Sequence, residues 1–173
     1  MHLKVPAPLD PKFYPLEIAL REYEADVKQS ENTCDFAVTI LRNQGYCDDY
    51  SLRIFKDGMD KRTVPLLDRL VKTLLWARGG YKIVTFGSDE VHAHLKAAYQ
   101  PGGERAFDAD FMATVYERPF EVEKAETLAD ARRSVSSASS VGRHLNGCRI
   151  GFDAGGSDRK VSAVIDGEAV YSE

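Results

Sequence analysis

The chain has 173 residues, 43% apolar and 29% charged, which is enough apolar material to bury a core and excludes a disordered or fibrous chain. Twenty-seven acids against 23 bases leave a formal net charge of -4, so the basic field that holds proteins on nucleic acid is missing. No apolar run approaches the roughly 18 residues that cross a bilayer, and residues 1–15 carry no apolar signal region, so neither nucleic acid nor membrane is an expected partner and a cytoplasmic protein is expected.

Pro6, Pro8, Pro11 and Pro15 make an extended lead-in, and Pro15 suits the first turn of a helix. In that helix Leu16, Ala19, Leu20, Tyr23 and Val27 repeat at three- and four-residue steps and form one apolar stripe. Phe36, Val38 and Ile40 alternate over 35–43, as do Tyr50, Leu52 and Ile54 over 50–56, which predicts two strands. Gln44, Gly45, Asp48 and Asp49 between them supply turn chemistry, so the strands are expected to pair antiparallel. That hairpin leaves a Cys34–Cys47 disulfide open. The cysteines, with Cys148, are odd in number and lack a C-x-x-C pair, and are read as reduced and mostly buried.

Val64, Leu67, Leu70, Val71, Leu74 and Leu75 predict a helix over 63–78, ended by Gly79 and Gly80. Residues 81–86 read as a strand, Gly87 as a turn, and Ser88 as the cap of a helix that turns Val91, Leu95 and Ala98 inward. Such a helix N-terminus attracts anions, but Asp89 and Glu90 already satisfy its dipole, so ordinary capping is expected. His92 and His94 are two residues apart, about 200° around a helix, and cannot share one ion. After Pro101, Gly102 and Gly103, a helix is expected to pack by Phe107, Phe111 and Val115, with Asp108 and Asp110 on different faces. An edge strand is expected over 120–123.

Beyond residue 124 the periodicity fades, and Ser134, Ser136, Ser137, Ser139 and Ser140 follow Arg132 and Arg133. The organisation read from this is an α/β module with a mixed sheet over 1–124, a Ser-rich linker over 125–147, and a separate segment over 148–173. In the last, Cys148, Ile150 and Phe152 alternate with Arg149, Gly151 and Asp153. A glycine turn leads to Val161, Ala163 and Ile165, and Asp166 and Gly167 lead to Ala169 and Tyr171, which makes a three-stranded meander.

An acid at a strand end followed by two glycines and a hydroxyl suits a triphosphate. Backbone N–H groups without a neighbouring Cβ reach phosphate oxygens, and a carboxylate holds a magnesium-bound water. The same residues also fit a plain hairpin in which Gly155 and Gly156 permit positive φ and Asp153 caps the turn.

Segment 150–167 resembles the first phosphate motif of the actin-like ATPase superfamily, and more closely that of the ROK family of sugar kinases and related repressors. The apolar-x-Asp-x-Gly-Gly-Thr pattern falls on Phe152, Asp153, Gly155, Gly156 and Ser157, with serine in place of the usual threonine. Asp158 stands where a lysine or asparagine is common, and Arg159 and Lys160 follow it. The resemblance implies that 148–173 is the opening β-meander, incomplete, of an actin-like (ribonuclease H-like) ATPase domain. It implies ATP and Mg as cofactors, with Gly155, Gly156 and Ser157 at the nucleotide phosphates and Asp153 at the metal through water. It also implies a sugar as phosphoryl acceptor.

The family's second phosphate segment, adenosine segment, zinc motif and general-base aspartate have no counterpart here. The chain is therefore expected to be the N-terminal portion of a longer protein or a truncated product, with no catalytic residue and no turnover of its own. No winged helix-turn-helix precedes the motif, and the N-terminal module is read as an addition. The alternative is a non-catalytic nucleotide- or sugar-binding regulatory protein whose N-terminal module binds a partner, and association into a homo-oligomer stays open.

Overall fold

In the computed structural model, which describes residues 5, 7–11, 13–131, 134–136 and 146–173, the chain divides into two units, residues 1–137 and 138–173. The first unit runs α1 (Leu16–Val27), β1 (Thr33–Leu41), β2 (Cys47–Phe55), α2 (Thr63–Arg78) and β3 (Lys82–Phe86). It continues with α3 (Asp89–Ala98), α4 (Ala106–Tyr116), β4 (Glu121–Lys124) and the short α5 (Leu128–Ala131). The sheet order is β2-β1-β3-β4; β1 is antiparallel to both neighbours and β3 is parallel to β4, so the unit is α/β with a mixed sheet.

Alternation along β1 decides the layers. Phe36, Val38 and Ile40 are buried with Ile54 and Ile83 under the apolar stripes of α1, α2 and α3, which contribute Tyr23, Leu67, Leu75, Val91 and Leu95 among others. The Tyr23 hydroxyl, inside this core, pairs with Thr63 Oγ1 at 2.7 Å and accepts from Phe55 N at 3.1 Å, so its polar end is satisfied. No described helix is long and apolar enough to cross a membrane.

The opposite face of β1 carries small residues, and this changes the reading of the expected linker. Ala125 and Ala131, with Leu128, pack on Ala37, and Thr39 Oγ1 donates to Ala131 O at 2.6 Å. Val135 then exchanges two backbone hydrogen bonds with Cys47, at 3.0 and 2.9 Å. Residues 125–131 and 134–136 therefore belong to the first unit, because alanines lie flat on a sheet face that itself carries Ala37. Arg132, Arg133 and residues 137–145 of that expected linker, with Ser137, Ser139 and Ser140, lie outside the described residues.

Two further expectations change. The hairpin register sets Cys34 opposite Ile54 and Cys47 opposite Leu41, at its two ends, so no disulfide joins these two; Cys148 is exposed rather than buried. In α4 the large apolar side chains face outward: Phe107 is 70%, Phe111 44% and Val115 56% exposed, while Asp108, Ala109 and Met112 are buried. Asp108 tolerates burial because Trp76 Nε1 donates to its Oδ1 at 2.9 Å and Lys72 Nζ lies 3.5 Å from Oδ2.

The second unit is the antiparallel meander β5 (Cys148–Ala154), β6 (Arg159–Ile165) and β7 (Glu168–Ser172). Asp166 and Gly167, at φ 48° and 89°, join Ile165 to its partner Glu168 in a two-residue turn, as Asp-Gly hairpin turns require. Ile150 and Phe152 remain 80% and 64% exposed on one face.

Candidate functional site

The turn between β5 and β6 holds the residues singled out by their chemistry. Ala154 pairs with Arg159 and Asp153 with Lys160, so Gly155, Gly156, Ser157 and Asp158 form the loop, and all four are exposed. Asp153 lies inside β5, on the same sheet face as Lys160 and next to the loop, and its side chain is exposed. The structure thus brings Asp153, Gly155, Gly156 and Ser157 to one tip of one hairpin.

The two glycines differ in what demands them, and neither has positive φ. A Cβ on Gly155 would lie 2.6 Å from Asp158 Oδ1 and 2.9 Å from Asp158 O, because Asp158 folds back across it. Gly155 is therefore required by the loop itself. A Cβ on Gly156 would meet nothing within 4 Å. Asp158 Oδ2 lies 3.2 Å from Lys160 Nζ, so this loop acid is paired with a base, although exposure on both sides keeps that pair weak. Among the described residues no three His, Cys, Asp or Glu side chains gather to hold a metal, so a cation here would rest on Asp153 and on ligand oxygens.

A second cleft, of about 540 Å³, lies at the carboxyl ends of the parallel strands β3 and β4, where α/β sheets usually bind ligands. Its lining includes Asp57, Gly87, Asp89, Lys124 and Glu126. Ser88 Oγ accepts from Val91 N at 3.1 Å, the expected N-cap. The rest of the helix end is taken by Asp57, whose carboxylate accepts from Ser88 Oγ at 2.5 Å, Asp89 N at 2.9 Å and Glu90 N at 3.2 Å. Asp89 pairs with Lys124. The place an anion would take is thus filled by a side chain of the protein. No local signal in the sequence connects Asp57 to a helix 32 residues on.

The histidines of α3 part as their spacing requires. His92 Nδ1 is 2.9 Å from Thr85 Oγ1, under the sheet, while His94 Nε2 approaches Asp68 Oδ1 to 3.4 Å without hydrogen-bond alignment. Burial pushes the His92 imidazole below its ordinary value, and Lys96 and Lys124 add to the shift against the opposing Asp89. An unfolded histidine with a pKa of about 6.5 takes up the proton that the folded one refuses, so the folded state is fully favoured above that pH and loses stability as pH falls through it. We expect His92→Gln to lose less stability between pH 8 and 5.5 than the parent. Urea unfolding at both pH values checks this, and equal losses would remove His92 as the cause.

Set against known proteins, the chain matches no family model, no curated protein and no solved structure.

Proposed function

We propose that residues 148–173 open an actin-like ATPase domain of ROK sugar-kinase type, and that the polypeptide carrying this chain transfers a phosphoryl group from ATP to a sugar hydroxyl. The observation that carries the reading is Gly156. Its φ is ordinary and the space around its missing Cβ is open, so the fold makes no demand for glycine there. A ligand that must touch bare backbone does make that demand. In this reading the N–H groups of Gly155 and Gly156 and the Ser157 hydroxyl donate to phosphate oxygens, and Asp153 accepts from a water on magnesium. Phosphoryl transfer depends on positioning and charge neutralisation, and the groups for sugar, adenosine and base lie in further polypeptide. The exposed apolar face with Ile150 and Phe152 supports the same reading, since three strands with an uncovered face are marginal alone.

The reading frame past Glu173 is the first test, and the proposal expects a second phosphate-binding segment and a carboxylate base there. In that polypeptide Asp153→Ala is expected to lower kcat by about 10²-fold or more, since it removes an electrostatic contact to the metal. Gly156→Val is expected instead to raise KM for ATP, as its branches fill the phosphate's approach. Parental turnover in Asp153→Ala would sink the kinase reading. Asp158, a carboxylate beside the proposed phosphates, favours the second reading, a regulatory protein that binds nucleotide or sugar without turnover. Calorimetric binding of magnesium ATP with no product on any sugar would select it.

A further inference from the structure

The stripes of α1 and α2 leave a groove between them. Ala19 and Tyr23 are one turn apart on α1, while Pro65, Leu66 and Arg69 follow Arg62 at three-, four- and seven-residue steps and so share one side of α2. With Tyr14 and Lys61 they enclose about 440 Å³, enough for a small organic molecule. The floor is apolar, since the Tyr23 ring and Leu66 belong to the core and Ala19 packs against it.

The charge around this floor is of one sign. Lys61, Arg62 and Arg69 line the groove and, among the described residues, no carboxylate does; Glu22, which accepts from Tyr14 Oη at 2.9 Å, lies outside the lining. Arg62 serves the fold: it holds Asp60 at 2.6 Å and Asp26 at 2.8 Å and sits 5.7 Å over the Tyr23 ring, which fixes one wall. Arg69 differs. Its Nη2 donates to Tyr14 O at 2.7 Å, a neutral carbonyl, which leaves its charge uncompensated and most of its N–H donors free. Lys61 has no ion pair among the described residues, and the Asp60 carboxylate that feels its charge is already held by Arg62.

We propose that this groove binds a medium-chain fatty carboxylate, with the acid on Arg69 and the chain lying along α2 over Leu66 and Tyr23. A guanidinium meets a carboxylate through parallel N–H bonds, whereas a neutral apolar molecule would leave the rim cations unanswered and a small hydrophilic anion would leave the floor bare. Length follows from the helix. Arg62 to Arg69 is seven residues, about 10 Å of α2, and an extended hydrocarbon advances about 1.3 Å per bond, so about eight to ten carbons fit. The chain's own lead-in is a poor occupant, because His2, Lys4 and Lys12 against the single Asp10 would set bases against bases. Both walls are held before any ligand arrives, by Arg62 on its two acids and by Arg69 on Tyr14, so little ordering is lost on binding. For a ligand of about a dozen heavy atoms this corresponds to a Kd of roughly 10 µM to 1 mM.

A heteronuclear NMR titration of the 173-residue chain with decanoate, below its micelle concentration, tests this. Decanoate is expected to shift the backbone signals of Ala19, Tyr23, Leu66 and Arg69 saturably. Octanoate is expected to bind roughly 10- to 20-fold more weakly, since each buried methylene is worth about fourfold. Decyltrimethylammonium, the same chain with its charge reversed, is expected to bind at least about tenfold more weakly than decanoate. Arg69→Glu is expected to weaken decanoate by about tenfold or more and to strengthen the ammonium, so that the preference reverses. That reversal needs an intact groove, which separates a lost head contact from a lost fold. No saturable shift with decanoate, equal binding of carboxylate and ammonium, or an Arg69→Glu variant that keeps the parental preference would each overturn the proposal. Groove signals that move with protein concentration alone would assign the surface to a second copy and overturn it as well.

Discussion

Gly87→Ala is expected to cost about 3–5 kcal/mol of folding stability, a large share of the roughly 5–15 kcal/mol that a domain has. Gly87 follows β3 at φ 102°, one residue beyond the pair that Phe86 makes with Ala37 of β1. A Cβ there would lie 1.9 Å from Asp35 O, 2.9 Å from Asp35 C and 3.1 Å from Phe36 Cα. All three atoms are backbone, so no side chain can swing away, and the strands must separate or the turn must be rebuilt. Separation would also disturb the bond from Cys34 Sγ to Gly87 O, at 3.3 Å. Gly58→Ala isolates the conformational part, because Gly58 also has positive φ, 74°, but open space around it, and it should cost about 1 kcal/mol. Urea unfolding of the two variants measures the difference. Equal losses would mean that the approach of β1 to the turn imposes no constraint.

Asp68→Ala should cost about 2–3 kcal/mol, and the double substitution Asp68→Leu, Arg105→Met should return to within about 1 kcal/mol of the parent. Asp68 of α2 and Arg105, just before α4, have side chains only 9% and 19% exposed, and both Nε and Nη2 of Arg105 donate to the carboxylate. That bond holds the guanidinium pKa above its ordinary value. Burial pushes the nearby Tyr99 phenol well above its ordinary value, and the Asp108 and Asp68 carboxylates push it further. Removing Asp68 leaves a mostly buried cation without its hydrogen-bonded carboxylate, offset only in part by the nearby Asp108, while removing both groups leaves no such cation. The arginine's remaining exposure keeps the single cost below the 3–5 kcal/mol of wholly buried pairs. Thermal and urea unfolding of the three proteins decide it. A double variant as unstable as the single would show that attraction within the pair, not an orphaned charge, holds the helices.

Local chemistry made much of the fold legible. Alternation in Phe36, Val38 and Ile40 placed a strand with one face on the core, and three- and four-residue spacing placed α1 and α2, because a side chain's direction follows directly from its backbone's period. Ser88 capped α3 and Asp166 with Gly167 closed the last turn for the same reason: each acts within three residues of itself. The hairpin tip with Asp153, Gly155, Gly156 and Ser157 is contiguous in the chain, so its assembly in one loop was readable as well.

What the periodic pattern misread is α4, where it placed Phe107, Phe111 and Val115 inward. Spacing shows that three side chains share a face but not which way that face points. The direction was decided by Trp76 and Lys72, which give Asp108 partners and make its burial tolerable. Distance in the chain hid the rest. Asp57 reaches a helix end 32 residues away, Thr39 meets a carbonyl 92 residues on, and Cys47 pairs with Val135 in a segment whose serines read as linker. The sequence by itself determined the elements, their caps and the chemistry of the terminal turn, since these depend on neighbours along the chain. Only the tertiary structure decided which face of α4 is buried and what fills the N-terminus of α3, since these depend on atoms that folding brings together.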